Sequence, residues 1–581
     1  MQVILLLLAL GLPLAVVQAW AFEVTPDGVR RTAAASDRTQ GAGLPASEYA
    51  FIGLMLAVIV VAGYQVSTIP GRDGPAAKAT EAASPDTARE STPSAPDDER
   101  STSIAVLAFE NMSMDPGNEY FADGISEELL NILAGIDGLR VASRTSAFSF
   151  KGSSTPIPEI AEQLDVRHVL EGSVRKAGNR VRITAQLIDA SDDTHLWSEV
   201  YDRELDDIFA VQEEIARAIT GELEGLLGTR SVDVAAPTRN MDAYQLYLRG
   251  RSRFYGRLEL NEAVEDLRAA VEQDPDFAEA WAFLAAVYWL HGSGGYESDY
   301  DRLELARLAG PASARAAELG ARIPIGLAVE GQILVDSGRP GAVAEGIDLL
   351  ERAVELPSPD STPRLWLALL WIELGHSERA IPLLQSAIEM DPLVGINSGV
   401  LGVALAAEGL VSEAERRVLD AARTSGLYFW GALVAVDRFH AGDTNGAAEL
   451  LAQLERHIDE EGQPSVNWIP QTIRAIHDAS LRTPALWSDL REGADFAIPS
   501  LMFDDGDTAF EASEFHTSRP WAILNTAWMP AMEWLREDPR FFELMDERGR
   551  VEYWETHGYP RGCRPVDGAD GRRLDCPETR P

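Results

Sequence analysis

The sequence predicts an α+β domain built on a mixed sheet, then an all-α superhelix of stacked helical hairpins, both behind two amino-terminal transmembrane helices. Three observations carry this. Ser103 to Gly152 alternates a short apolar strand, an amphipathic helix and a second strand, and strictly alternating apolar and polar runs follow it. Small residues recur at a spacing of 34 through the middle of the chain, as at Gly346, Ala380 and Ala414. Val3 to Phe22 and Tyr49 to Val66 contain no charged side chain.

The 581 residues hold three or four units of ordinary domain size. With 92 acidic against 50 basic side chains the net charge is −42, and a surface so negative repels phosphate backbones and anionic headgroups, so nucleic acid is not an expected partner. Apolar residues make up 46% of the chain, which is enough to build real cores and assigns the acidity to solvated faces.

From the amino terminus, each uncharged run is about twenty residues long, the length a helix needs to cross a bilayer. The first has a rival reading as a signal peptide, because Ala19-Trp20-Ala21 imitates a cleavage site. Arg30, Arg31 and Arg38 lie between the runs, and Arg72 and Lys78 follow the second. That bias sets the short basic loop of residues 1–66 in the cytoplasm and the chain beyond it in the periplasm of a bacterial inner membrane. Residues 67–102, rich in Pro, Ala, Ser and acidic side chains, read as a disordered linker.

The first folded domain is expected over 103–228. SIAVLAF is apolar on both faces and reads as a central strand. Phe121, Ile125, Leu129 and Leu133 stripe the following helix, with Glu127 and Glu128 expected on its solvent face. Leu139 to Ser143 is a second, parallel strand, and Pro158 opens a short helix. Val166 to Lys176 and the alternating run around Val181, Ile183 and Leu187 form a hairpin through Ala177-Gly178-Asn179. His195 to Asp202 adds a strand, and the stripe Ile208, Val211, Ile215 and Leu223 adds a helix.

The runs SIAVLAFENMSMDPGNEYFADGISEELLNIL, GLRVASRTSAFSFKG, HVLEGSVRKAGNRVRITAQLIDA and HLWSEVYDRELDDIFAVQEEIA resemble the TolB-like amino-terminal domain of bacterial membrane-anchored proteins in which it precedes tetratricopeptide repeats. WAFEVTPDGVRR resembles the junction after their membrane segment. Some of those proteins carry a winged-helix or a nucleotide cyclase domain in front. The resemblance implies an envelope-associated or signalling module without an assigned ligand.

Over 240–456 the period of 34 is that of the tetratricopeptide repeat, and Leu350, Leu384 and Val418 keep step with it, as do Ala353, Ala387 and Ala421. Ala263, Leu267 and Ala270 extend it backwards, and Ala447 with Leu451 extend it forwards, giving about six repeats. The first helices line the inner face of such an array. Glu279, Trp289, Leu365, Leu369 and Ile372 are therefore expected in an apolar, acid-edged groove that takes a partner peptide or helix.

Residues 457–581 break the period and are rich in tryptophan, as a helical cap on the last repeat would be. They contain both cysteines, Cys563 and Cys576, which an oxidising compartment would join and a reducing one would leave as thiols. After the first strand Asp115, Asn118, Glu119 and Asp123 gather oxygen ligands, the expected place for a small ligand beyond a strand end. They lack calcium-loop spacing. No phosphate-cradling loop, nucleophile elbow or paired-histidine zinc motif is found. The expectation is therefore a non-enzymatic scaffold without a cofactor, binding proteins through its repeats and the bilayer through its two spans. A sensor of an envelope signal is the alternative.

Overall fold

The computed structural model describes residues 22–25, 28–31, 102–223, 236–256, 259–292, 300, 302–321, 323–460, 468–482, 497–503, 510, 521–569 and 571–577. The expected linker before residue 102 and the span 49–66 lie outside these residues, as does the first span except Phe22. Among the described residues no helix is long and apolar enough to cross a membrane. The chain divides into two units, Met1–Thr92 and Pro93–Pro581.

In the first unit β1 (Phe22–Thr25) and β2 (Gly28–Arg31) form an antiparallel hairpin, with Phe22 opposite Arg31 and Thr25 opposite Gly28. This corrects two expectations. Phe22 starts a strand rather than ending a helix, and Arg30 and Arg31 lie on a strand rather than in a loop, because VTPDGV carries the turn chemistry of a hairpin.

The second unit opens with β3 (Ser103–Val106), β4 (Glu110–Asn111), α1 (Glu119–Ala134), β5 (Arg140–Val141), α2 (Arg144–Phe148), α3 (Ile157–Gln163), β6 (His168–Ala177), β7 (Arg180–Asp189), β8 (Thr194–Glu204) and α4 (Ile208–Glu222). The strand order is β5-β3-β6-β7-β8, with β4 also on β6. β3 runs parallel to β5 and β6, and β6, β7 and β8 are antiparallel. The sheet is mixed because an α-helical crossover returns the chain parallel whereas Gly178, in the left-handed region at φ 59°, allows a tight reversal. β3 is buried along its whole length, with α1 on one side and Ala142, Ala147, Ile160 and Val166 on the other.

Six helical hairpins follow: α5 (Met241–Gly256) with α6 (Leu260–Gln273), α7 (Ala278–Gly292) with α8 (Arg302–Glu318), α9 (Pro324–Val335) with α10 (Ala342–Glu355), α11 (Thr362–Glu373) with α12 (Ser377–Met390), α13 (Gly395–Ala407) with α14 (Val411–Ser425), and α15 (Phe429–His440) with α16 (Thr444–Glu460). Within each the helices are antiparallel and cross where a side chain is small. A Cβ on Gly331 would stand 2.7 Å from the Gly346 carbonyl oxygen, and one on Gly402 would stand 2.5 Å from Val418. These are tetratricopeptide hairpins, and the recurrent Gly or Ala of the period is what their crossing requires.

The chain then continues through α17 (Trp468–His477), α18 (Ala497–Met502), α19 (Trp521–Thr526), α20 (Glu533–Glu537), α21 (Pro539–Glu547) and α22 (Arg550–His557) to the hairpin of β9 (Arg564–Gly568) and β10 (Gly571–Asp575). Cys563 and Cys576 are disulfide-bonded across the base of that hairpin. Closing so short a loop removes about 3 kcal/mol of unfolded-state entropy.

The Gly331 crossing generates a prediction. Gly331→Ala gains up to about 1 kcal/mol of helix propensity but drives a methyl into a backbone carbonyl, an overpacking cost of about 1–3 kcal/mol. Urea unfolding is expected to show a lower midpoint for the variant; a higher one would mean that the hairpin relaxes freely.

Candidate functional site

Stacked antiparallel hairpins bring the amino ends of the first helices to one edge of the array and their carboxyl ends to the other. Each edge therefore exposes a row of unpaired backbone groups. The α/β domain occupies the first edge and the carboxyl-terminal segment the second.

Beside the first edge, α1 packs along the middle and carboxyl half of α5, so closely that a Cβ on Gly124 would lie 2.7 Å from Leu248. Arg251, on α5 and buried, meets the Glu127 carboxylate at 2.9 Å, pairs with Glu128 and donates to the Tyr247 hydroxyl at 2.9 Å. Glu127 also holds Arg144, whose guanidinium lies 4.8 Å from the centre of the Tyr255 ring. The Tyr255 hydroxyl in turn donates to Asp360 at 3.3 Å. Glu127 is thus 2% exposed rather than on a solvent face, because its partner Arg251 arrives from the repeat array.

Further along the same edge, Asp391 ends α12 and accepts from the Ser146 amide at 3.0 Å, the Ser146 hydroxyl at 2.6 Å and the Ser361 hydroxyl at 3.2 Å. Ser143 donates its amide to the Met390 carbonyl at 3.1 Å, and Leu393 donates to the Ser146 hydroxyl at 3.0 Å. The joint is buried, and burial raises the Asp391 carboxyl above its ordinary range against the pull of those hydroxyls.

On the second edge the carboxyl-terminal segment donates to one first helix after another. The fully buried Arg550 guanidinium donates to the Val335 carbonyl at the end of α9 and to the Glu373 carboxylate, each at 2.7 Å. The Trp528 and Trp554 indoles donate to the carbonyls of Glu373 at 3.0 Å and Leu374 at 3.1 Å, at the end of α11. Arg561 donates to the Ala407 carbonyl, ending α13, at 2.6 Å. The Asp437 carboxylate near the end of α15 accepts from the Ala531 amide at 2.9 Å. Burial pushes the Asp437 carboxyl up to about 6, with the Ala531 amide and the charges of His440 and Arg536 pulling the other way. Burial, helped by Arg561, brings Arg536 down to about 10. Gly375, at φ 81°, turns the chain after α11, where any Cβ would meet Trp528 and Pro560 at 2.8 Å.

This arrangement corrects the expected groove. Trp289, Leu365, Leu369 and Ile372 are all buried. Trp289 packs its ring 4.6 Å from Trp366 and donates to Asp336 at 3.2 Å, and α19 lies against α11 and α13. Glu279 sits at the opposite end beside Arg251 and Glu128, and burial raises its carboxyl. The cap expected on the last repeat alone instead runs along four hairpins.

Three of the four oxygen ligands after β3 are spent internally. Asp115 caps a turn by accepting from the Gly117 amide at 2.9 Å, while Glu119, at 2.7 Å, and the buried Asp123 both hold Lys151. Asn118 precedes α1 without a side-chain capping bond. His168 is buried against the Ser103 carbonyl at 3.0 Å, its pKa lowered by burial. Among the described residues no three of His, Cys, Asp and Glu converge as metal ligands.

No family model matches the chain. A curated protein of Rhizobium meliloti (strain 1021) named "Putative adenylate cyclase 3" is 44% identical over 189 residues, 32% of this chain and 32% of that protein. The match thus spans about a third of the length of that relative. Among solved structures, YrrB, described as a TPR protein with an unusual peptide-binding site, is similar at 20% identity and TM-score 0.23 over 32% of this chain and 89% of that one. MamA is similar at 18% and 0.22 over 30% and 94%, and human IFIT1, as a dimer with PPP-AAAA, at 15% and 0.31 over 61% and 78%. The hairpins themselves, with their 34-residue period, have the tetratricopeptide arrangement. The curated relative corrects the expectation of a chain without enzymatic activity, since the relative's name states a catalytic activity and a third of this chain is shared with it.

Two predictions concern the second edge. Arg550→Ala removes the shorter ion pair of the buried Glu373 carboxylate, leaving Arg548 at 3.7 Å, and is expected to cost about 3 kcal/mol in urea unfolding and to open the carboxyl-terminal segment to limited proteolysis. Arg550→Met combined with Glu373→Leu should recover most of that loss. Asp437, with its folded pKa of about 6 above an ordinary 3.8, adds stability that is complete below about pH 4 and lost as pH rises through 6. Asp437→Asn keeps the acceptor and removes the titration. The variant is expected to gain on the wild type between pH 4 and 7, by on the order of 3 kcal/mol; parallel pH profiles would show that Asp437 ionises freely.

Proposed function

We propose that this chain is a membrane-tethered interaction platform of the bacterial envelope, working in nucleotide-cyclase signalling. The observation that carries the reading is that the array already binds two segments of its own chain, one along α5 and the end of α12 and the other at the carboxyl ends of first helices, which is how a docking platform works. The 189 residues shared with a protein named for adenylate cyclase activity supply the signalling context. The TolB-like resemblance of residues 103–228 fits a receiving role. The uncharged runs 3–22 and 49–66 and the bonded Cys563–Cys576 pair support anchoring with the body on the oxidising side.

The second reading, favoured by the relative's name, is that the chain itself makes cyclic AMP. Two measurements decide between them. Crosslinking in intact cells followed by capture of the full chain is expected to return a defined set of envelope proteins, and protease added to spheroplasts is expected to digest the body. Cyclic AMP formed from ATP by the purified full chain, with no captured partners, would replace the platform with the enzyme.

A further inference from the structure

β8 is the edge of the sheet, and at 11 residues it is longer than β7 beside it; among the described residues no strand pairs with its outer side. A long edge offers a row of unpaired amides and carbonyls, which natural sheets blunt with proline, lysine, shortness or a bulge. The opposite edge, β5, is two residues long. From Trp197 to Arg203, β8 carries no proline and no lysine, and its irregularity lies before that stretch, opposite Leu187/Ile188. Val200, at the centre, is 56% exposed, and Leu196 and Ser198 are exposed with it.

We propose that β8 pairs antiparallel with β8 of a second copy of this chain, joining the two sheets into one. A two-fold axis perpendicular to the sheet must pass through a residue, because paired side chains share a face. With the axis at Val200, Trp197 faces Arg203, Ser198 faces Asp202 and Glu199 faces Tyr201. A cation meets an indole, each acid meets a hydroxyl, and the exposed valines meet each other. Moving the axis one residue toward the amino terminus sets Glu199 against itself, a like-charge contact that selects against that register. Moving it the other way pairs Glu199 with Arg203 but sets Val200 against Asp202 and carries Trp197 past the end of the strand, opposite Leu205. The sequence of β8 is thus complementary to itself in one register, which commits the edge to a copy of this chain.

The test uses the full chain in mild detergent. Cys563 and Cys576 are bonded to each other and no free cysteine is present among the described residues, so Val200→Cys adds a single thiol that lies on the axis, within disulfide reach of its own copy. Under mild oxidation this variant is expected to run as a covalent dimer on a non-reducing gel, at least tenfold faster than Met114→Cys, a control at a fully exposed site. Sedimentation should give a dimer for the wild type and a monomer for Val200→Lys with an unchanged thermal melt. A monomeric wild type, or a dimer in which Val200→Cys crosslinks no faster than the control, would overturn the pairing.

Discussion

Helix polarity organises this molecule. Once hairpins stack in register, every first helix points the same way and gives one edge its amide groups and the other, the carbonyl edge, its last carbonyls, while the antiparallel second helices add the reverse ends. Whatever covers the carbonyl edge must bring donors, and that edge has received Arg550, Arg561, Trp528 and Trp554. At the other edge the α/β domain meets the carboxyl end of the second helix α12, and there too it brings donors, the Ser143 amide to the Met390 carbonyl and the Ser146 amide and hydroxyl to Asp391.

The same helices are held from both sides. The α11 helix begins beside Ser361, tied to Asp391, and ends at Glu373, tied to Arg550 and Trp528. Displacing either covering element therefore exposes one end of a helix whose other end is still clamped. Buried pairs such as Arg251 with Glu127 add little net stability over apolar packing, because desolvation consumes most of the attraction. Their effect is to make alternative placements costly, since a displaced domain would strand a charge without a partner.

What the sequence revealed follows from range. The repeat period was legible because Gly346, Ala380 and Ala414 each answer to a helix within the same hairpin, and the alternation of β6 and β7 was legible because a tight turn joins them. The edges were not. Arg550 and Glu373 are 177 residues apart, and Ser146 and Asp391 are 245 apart, so no local pattern announces either pair. Glu127 looked solvated for the same reason, as helical spacing reports which face is polar but not whether a distant arginine will cover it. Trp289, Leu365 and Ile372 were rightly read as lying on first helices, yet apolar side chains on an inner face invite occupation, and this chain supplies its own occupant.

That self-occupation bears on how the α/β domain is held. In this chain the α/β domain presents α1 and α2 to the repeats, and both contacts run through buried charge or buried hydroxyls rather than grease alone. Such contacts are directional and exacting about geometry. A change in hairpin stacking that moved Asp391 away from Ser146 would leave a dehydrated carboxyl without its donors, so the α/β domain is sensitive to the shape of the array.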